Sequence, residues 1–104
     1  MPIIEIAGRN ITVDDEGFLT IFEEWDESLA LELAKNIEIE LTPAHWEIIK
    51  FMREDFKLEG ASATTLRVQN VGGFSVKEQF ALFPKKPGKK MAYIAGLPKP
   101  AGCV

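Results

Sequence analysis

Leu41-Thr42-Pro43-Ala44-His45-Trp46-Glu47-Ile48-Ile49-Lys50-Phe51-Met52-Arg53-Glu54 is the stretch that decides the fold. Thr42 supplies a hydroxyl cap, and Pro43 takes the first helical position, where a missing amide hydrogen costs nothing and a fixed φ suits the helix. From there Trp46, Ile49, Met52 (or Arg53) and Phe56 recur at helical spacing, Ile48 and Phe51 widen the apolar face, and Gly60 stands where a helix should stop. Upstream, Asp26 is an N-cap for a helix carrying Leu29, Ala30, Leu33, Ala34 and Ile37. Before that helix the chain reads as a small antiparallel meander. Ile3, Ile4 and Ile6 lead to a turn at Ala7-Gly8-Arg9-Asn10, Ile11-Thr12-Val13 gives a second run, and Phe18-Leu19-Thr20-Ile21 pairs as a third strand after the turn at Asp14-Asp15-Glu16-Gly17.

Downstream, Ala63 to Val71 makes a shorter helix ending at Gly72-Gly73. Ser75-Val76-Lys77-Glu78 has the form of a capping box, opening a helix through Phe80 and Phe83, both read as core, that Pro84 terminates. Pro84-Lys85-Lys86-Pro87-Gly88-Lys89-Lys90 reads as a basic turn, and Met91 to Ala95 as one further helical turn. The last stretch, Gly96 to Val104, cannot be helical because Pro98 and Pro100 remove amide donors and bias their predecessors to extended conformations. It is expected to be an arm with hinges at Gly96 and Gly102, reaching roughly 30 Å when extended.

The chain has 104 residues, which suits one small domain and is too short for a two-domain cleft enzyme. One Cys and one His exclude an internal disulfide framework and a Cys/His zinc cluster, so no metal and no cofactor is expected. No apolar run approaches a membrane span, and the Met-Pro-Ile-Ile-Glu-Ile start lacks a signal-peptide pattern, so the expected compartment is the cytoplasm. The net charge of −4 is unevenly spread: residues 1–59 carry fifteen acids and five bases, residues 60–104 one acid, Glu78, and seven bases. Such segregation means either a surface that meets a negative partner or a basic tail folding onto an acidic body.

Three features invite chemistry. Cys103, the single thiol, sits between Gly102 and Val104 and is open to attack and exchange. Lys85, Lys86, Lys89, Lys90 and Lys99 favour its thiolate on approach and the Val104 carboxylate disfavours it, so a functional thiol and an incidental one both stand. His45 lies in the first turn of a helix and reads as a packing or solvent-facing residue rather than a catalytic base. The helix pair around Gly72-Gly73 resembles a helix-turn-helix, but its second helix offers only Lys77 and Gln79 to bases or phosphates, which favours a packing unit.

Ile94-Ala95-Gly96-Leu97-Pro98-Lys99-Pro100-Ala101-Gly102-Cys103-Val104 closely resembles the terminus of the DsrC/TusE family, the dissimilatory sulfite reductase gamma-subunit-like sulfur carriers. Leu41 to Glu54 resembles that family's central helix, and weaker matches at Asp15 to Leu19, at Trp25 with Leu29-Ala30, and at Leu82-Phe83-Pro84 occur in the family's order. The resemblance implies an α+β fold: a small N-terminal antiparallel β-meander packed on an array of about five helices, as one domain over 1–95, with a mobile C-terminal arm over 96–104. It implies Cys103 as carrier of a persulfide, with Arg67 and Lys99 as residues that orient the anionic cargo. Implied partners are an upstream sulfurtransferase (TusBCD/DsrEFH-like), a downstream sulfur acceptor such as a tRNA-thiolating enzyme or a sulfur-oxidation complex, and dissimilatory sulfite reductase subunits.

Two departures mark this chain. Many DsrC proteins carry a second Cys eleven positions before the terminal one; here that position is Ala92, followed by Tyr93 where a basic residue is usual. The segment Val71 to Lys77 is also shorter than in TusE-type members. The leading expectation is therefore a single-thiol sulfur relay. Its rivals are a gamma-type accessory subunit or partner of dissimilatory sulfite reductase, and a DNA-binding regulator using the helix-turn-helix-like pair.

Overall fold

Two short strands, β1 (Ile3–Ile6) and β2 (Arg9–Thr12), and five helices, α1 (Glu27–Asn36), α2 (Pro43–Glu59), α3 (Thr65–Asn70), α4 (Val76–Leu82) and α5 (Pro87–Ile94), make up the fold in a computed structural model that describes residues 3–6 and 8–100. The architecture is α+β, with the hairpin at one end of the helical array.

Helix α2 follows its sequence signals at both ends. Pro43 is its first residue, and Gly60 closes it in the left-handed conformation (φ 74°), its amide bonding the Phe56 carbonyl at 2.8 Å. The partner of Thr42 in the cap is His45, three residues on, where a Glu or Gln is the usual choice. His45 Nδ1 accepts the Thr42 amide hydrogen at 3.0 Å. A backbone amide can only donate, so the ring hydrogen sits on Nε2, which donates to the Leu82 carbonyl at 2.8 Å. The ring also meets Phe83 edge-on, with centroids 5.0 Å apart. His45 is thus a buried brace between the start of α2 and the end of α4, facing neither solvent nor substrate.

The core forms where α2 lays Ile48, Ile49 and Met52 against Met91, Ala92 and Ile94 of α5, with Ala30, Ala34, Val68 and Phe83 filling the sides. Each large apolar side chain buried here contributes on the order of 1.5–3 kcal/mol. A second cluster of Ile6, Ile11, Val13, Leu19, Leu29 and Leu33 joins the hairpin to α1, and Trp25 and Tyr93 pack against both clusters. The hairpin is antiparallel with Ile4 opposite Ile11 and Ile6 opposite Arg9, and Gly8 turns it at φ 76°. Arg9 pins it to α1 through Asp26 (2.9 Å), the residue whose other oxygen caps the Leu29 amide at 2.9 Å.

Four expectations need correction. Phe18 to Ile21 is not a third strand: one isolated bridge, Val13 to Leu19, is all that forms, because Asp14 gathers the amides of Glu16 and Phe18 into a tight turn and Phe22–Glu24 coils into a 3-10 turn. Ser75 caps the Glu78 amide at 3.0 Å, and no reciprocal bond completes a box. Phe80 is 49% exposed rather than core; Gln79 occupies the inward position instead, donating to the carbonyls of Thr65 and Phe74. Finally, α5 starts at Pro87, inside the stretch read as a basic turn, because Pro87 is itself a first-turn residue.

His45→Ala removes the cap acceptor and leaves the half-buried Leu82 carbonyl without its donor. Loss of about 2–3 kcal/mol is expected in chemical denaturation, from roughly 1 kcal/mol for the cap and 1–2 for the orphaned carbonyl. His45→Gln, which still accepts at the third helical position, should recover part of it.

Candidate functional site: the root and seat of the C-terminal arm

Cys103, the residue on which the carrier reading turns, lies outside the described residues, as do Ala101, Gly102 and Val104. The structure describes what leads to them. Helix α5 ends at Ile94 in a Schellman arrangement: Gly96, at φ 71°, donates its amide to the Tyr93 carbonyl (3.2 Å) and Leu97 donates to the Ala92 carbonyl (3.0 Å). The remaining carbonyls of the helix end are claimed from far away in sequence. Trp25 Nε1 donates to the Ile94 carbonyl at 2.8 Å, and Arg53 Nη1 donates to the Ala95 carbonyl at 2.8 Å.

Arg53 is placed for this by its surroundings. Its guanidinium carbon lies 3.8 Å from the Phe22 ring centroid and 4.1 Å from that of Trp25, and Nη2 donates to the Phe22 carbonyl at 3.0 Å. Burial lowers the guanidinium's pKa from its ordinary value, and the carboxylate of Glu23 works in the opposite direction. The planar cation therefore joins the 3-10 turn before α1 to the end of α5 with two fixed donors, a geometry an ammonium on a flexible stem does not supply.

Beyond this root, Gly96–Pro100 lies against the body. Leu97 is fully buried in the main core, Ser62 Oγ donates to the Pro98 carbonyl at 2.5 Å, and Lys99 Nζ pairs with Glu16 at 3.2 Å. Pro100 is also buried. Gly96, expected as a hinge, is a position where only glycine fits: an added Cβ would fall 2.7 Å from Cγ of Trp25, in a backbone region that L side chains rarely adopt.

Of the residues expected to orient cargo, Lys99 sits on the arm and is engaged by Glu16, whereas Arg67 is elsewhere. Arg67 holds Asp55 in a two-point bond, Nε to Oδ2 at 2.8 Å and Nη2 to Oδ1 at 2.7 Å, with Glu59 at 3.5 Å. The hydrogen bond to Asp55 raises its pKa. Arg67 and Lys99 are not brought together by any bond among the described residues. Trp25, Arg53 and Ser62, which hold the arm, carry no catalytic signature in sequence. The one local signal is the Ala95-Gly96-Leu97 helix-end pattern. Gln79, one of two side chains that a nucleic-acid reading needs, is fully buried and bonded to backbone, which leaves α4 with Lys77 alone. Among the described residues no three His, Cys, Asp or Glu side chains are grouped to hold a metal ion, and no helix is long and apolar enough to cross a membrane.

Gly96→Ala should cost about 2–4 kcal/mol, combining left-handed strain with overpacking against Trp25. In two-dimensional NMR the Trp25 indole Nε1–H resonance, set by its bond to Ile94, is expected to move. An unshifted indole and unchanged stability would show that the arm does not need this close approach.

A family model described as "DsrC like protein" matches residues 5–104. The sulfurtransferase TusE of Photorhabdus laumondii is 39% identical over 111 aligned positions, covering 100% of both chains. A chain of the crystal structure of dissimilatory sulfite reductase I (DsrI) superposes with a TM-score of 0.82 at 37% identity, covering 99% of this chain and 100% of that one. The oxidized gamma-subunit of the dissimilatory sulfite reductase (DsrC) from Archaeoglobus fulgidus gives 0.75 at 38% identity, covering 99% of this chain and 100% of that one. With the family model matching residues 5–104 and the relatives aligned over nearly its whole length, this chain belongs to the DsrC-like family.

Proposed function

We propose that this protein is a cytoplasmic sulfur-relay carrier that takes up sulfur on Cys103 and hands it on. The single observation that carries the reading is the end-to-end relation to a sulfurtransferase, TusE, over a chain that has one thiol. The chemistry balances without an outside oxidant. The Cys103 thiolate attacks the terminal sulfur of a donor persulfide, an Sγ–S bond forms, the donor's S–S bond breaks, and the donor leaves as a thiolate. In the second transfer an acceptor nucleophile attacks the carried sulfur and Cys103 departs as thiolate. With a single thiol no intramolecular disulfide competes, and Ala92 is fully buried in the core.

The arm's seat gives the relay two reaches. Held through Pro100, the chain confines Cys103 to within about 11 Å of that proline, three residues back. Released at its contacts beyond Leu97, namely the Ser62 bond to Pro98, the Lys99–Glu16 pair and the packing of Pro100, the stretch 98–104 extends roughly 24 Å. Arg67, paired with Asp55, and Lys99, paired with Glu16, serve the anionic sulfur only in a state where those carboxylates give way. The donor in this reading is a sulfurtransferase of the TusBCD/DsrEFH type, and the acceptor a tRNA-thiolating enzyme or a sulfur-oxidation complex. A second reading, a gamma-type partner of dissimilatory sulfite reductase, draws on the likeness to the Archaeoglobus fulgidus gamma-subunit.

Incubation with a persulfide-loaded sulfurtransferase should add one sulfur atom to the intact protein by mass spectrometry, with fragmentation placing it on Cys103. Cys103→Ser should abolish the gain. Added sulfur elsewhere, or none from several donors, would sink the relay. Co-purification with large haem-containing subunits, together with no uptake from donors, would favour the second reading.

A further inference from the structure

The basic stretch over 60–104 is only partly spent on the arm. Lys99 is paired with Glu16, but among the described residues no acidic side chain lies within ion-pair distance of Lys85, Lys86, Lys89 or Lys90. These four lysines surround the start of α5. Lys85 and Lys86 occupy the left-handed region consecutively (φ 57° and 40°), a conformation costly for residues with a Cβ, and no side chain caps the helix that follows.

Lys86 and Lys89 line a cavity of about 340 Å³ that also takes in Phe18, Ile37 and Tyr93. Lys90 lines it too, though its ammonium is drawn back to the Pro84 carbonyl. The one carboxylate in the lining, Glu16, is neutralised by Lys99. Tyr93 Oη accepts from Asn36 Nδ2 at 3.4 Å, which leaves the phenolic hydrogen without an acceptor among the described residues. The cavity therefore presents two ammonium groups, a free hydroxyl donor and three apolar surfaces. By contrast, the cleft along Trp25 and Trp46 balances Lys50 and Arg53 against Glu27 and Glu54, and selects no sign of charge.

We infer that the cavity between α5 and the Asp14-to-Phe18 turn is a docking site for an acidic, partly apolar segment of a partner protein. The inference rests on the relay reading only for what the partner does; the binding chemistry stands on charge and shape. Carboxylates meet Lys86, Lys89 and the Tyr93 hydroxyl, and a flanking aliphatic or aromatic side chain covers Phe18 and Ile37. Those apolar walls offer nothing to a bare inorganic anion, which argues for a peptide over a free oxyanion. Because the Lys99–Glu16 pair forms the rim, a partner seated here is next to the arm and reaches the ion pair that holds it.

The probe is a blocked pentapeptide with four glutamates around a central leucine, titrated into the isotope-labelled full chain and followed by amide NMR. Saturable shifts are expected at Gly88, Lys89, Tyr93 and Ile37, weakening as salt is raised. Lys86→Glu/Lys89→Glu should weaken the affinity at least tenfold while keeping the native amide spectrum. Lys77→Glu, on α4 outside the cavity, should leave it within twofold. The proposal is overturned if no saturable binding occurs, if Lys77→Glu weakens it as much as the double variant, or if sodium sulfate binds as tightly as the peptide. The readout needs no sulfur, so a failure here is distinct from a failure of Cys103 to take up sulfur.

Discussion

The last carbonyls of a helix have no partner inside the helix, and what satisfies them decides where the chain goes next. At the end of α5 two of them are taken by Trp25 and Arg53, residues 69 and 42 positions away in sequence. That long-range capping is the constraint on which the rest depends. It fixes the exit of the arm, it forbids any residue but glycine at position 96, and it fastens the turn before α1 to the far end of the core. Arg53 performs the join because it is sandwiched: stacked on Phe22 and Trp25, its fork cannot turn away from the two carbonyls it bridges.

A carrier thiol works by being presented, and presentation needs a rigid origin as well as a loose end. The structure supplies the origin in graded steps. The root is held by the Trp25 and Arg53 bonds and a buried leucine, and the following three residues by one hydroxyl, one surface ion pair and the burial of Pro100. Surface pairs of that kind contribute little, about 0–1 kcal/mol, so the Lys99–Glu16 pair adds little to the hold on the outer segment. Among the described residues the arm's polar contacts pass from the two long-range helix-end bonds at its root to a surface ion pair at Lys99.

The charge segregation that the composition displays resolves into two uses. Lys99 of the basic end folds onto the acidic body at Glu16, while among the described residues the lysines around the start of α5 form no ion pair. Which basic residues pair with the body and which do not is a matter the fold decides.

Much of the fold was legible because its signals are local. Thr42-Pro43 and Gly60 bound α2, Asp26 starts α1, and the apolar spacing of Ile48, Ile49 and Met52 names the central core, since capping and amphipathic period depend on neighbours within one or two turns. The same locality explains the misses. Phe80 and Gln79 are adjacent, and which of them turns inward depends on the carbonyls of Thr65 and Phe74 waiting across the α3–α4 turn. Sequence likewise marked Cys103 and the proline arm, whose chemistry and stiffness are written in residue type. It did not disclose that His45 braces two helices or that Trp25 and Arg53 hold the arm, because a hydrogen bond between residues dozens of positions apart has no local pattern and exists only once the core has packed.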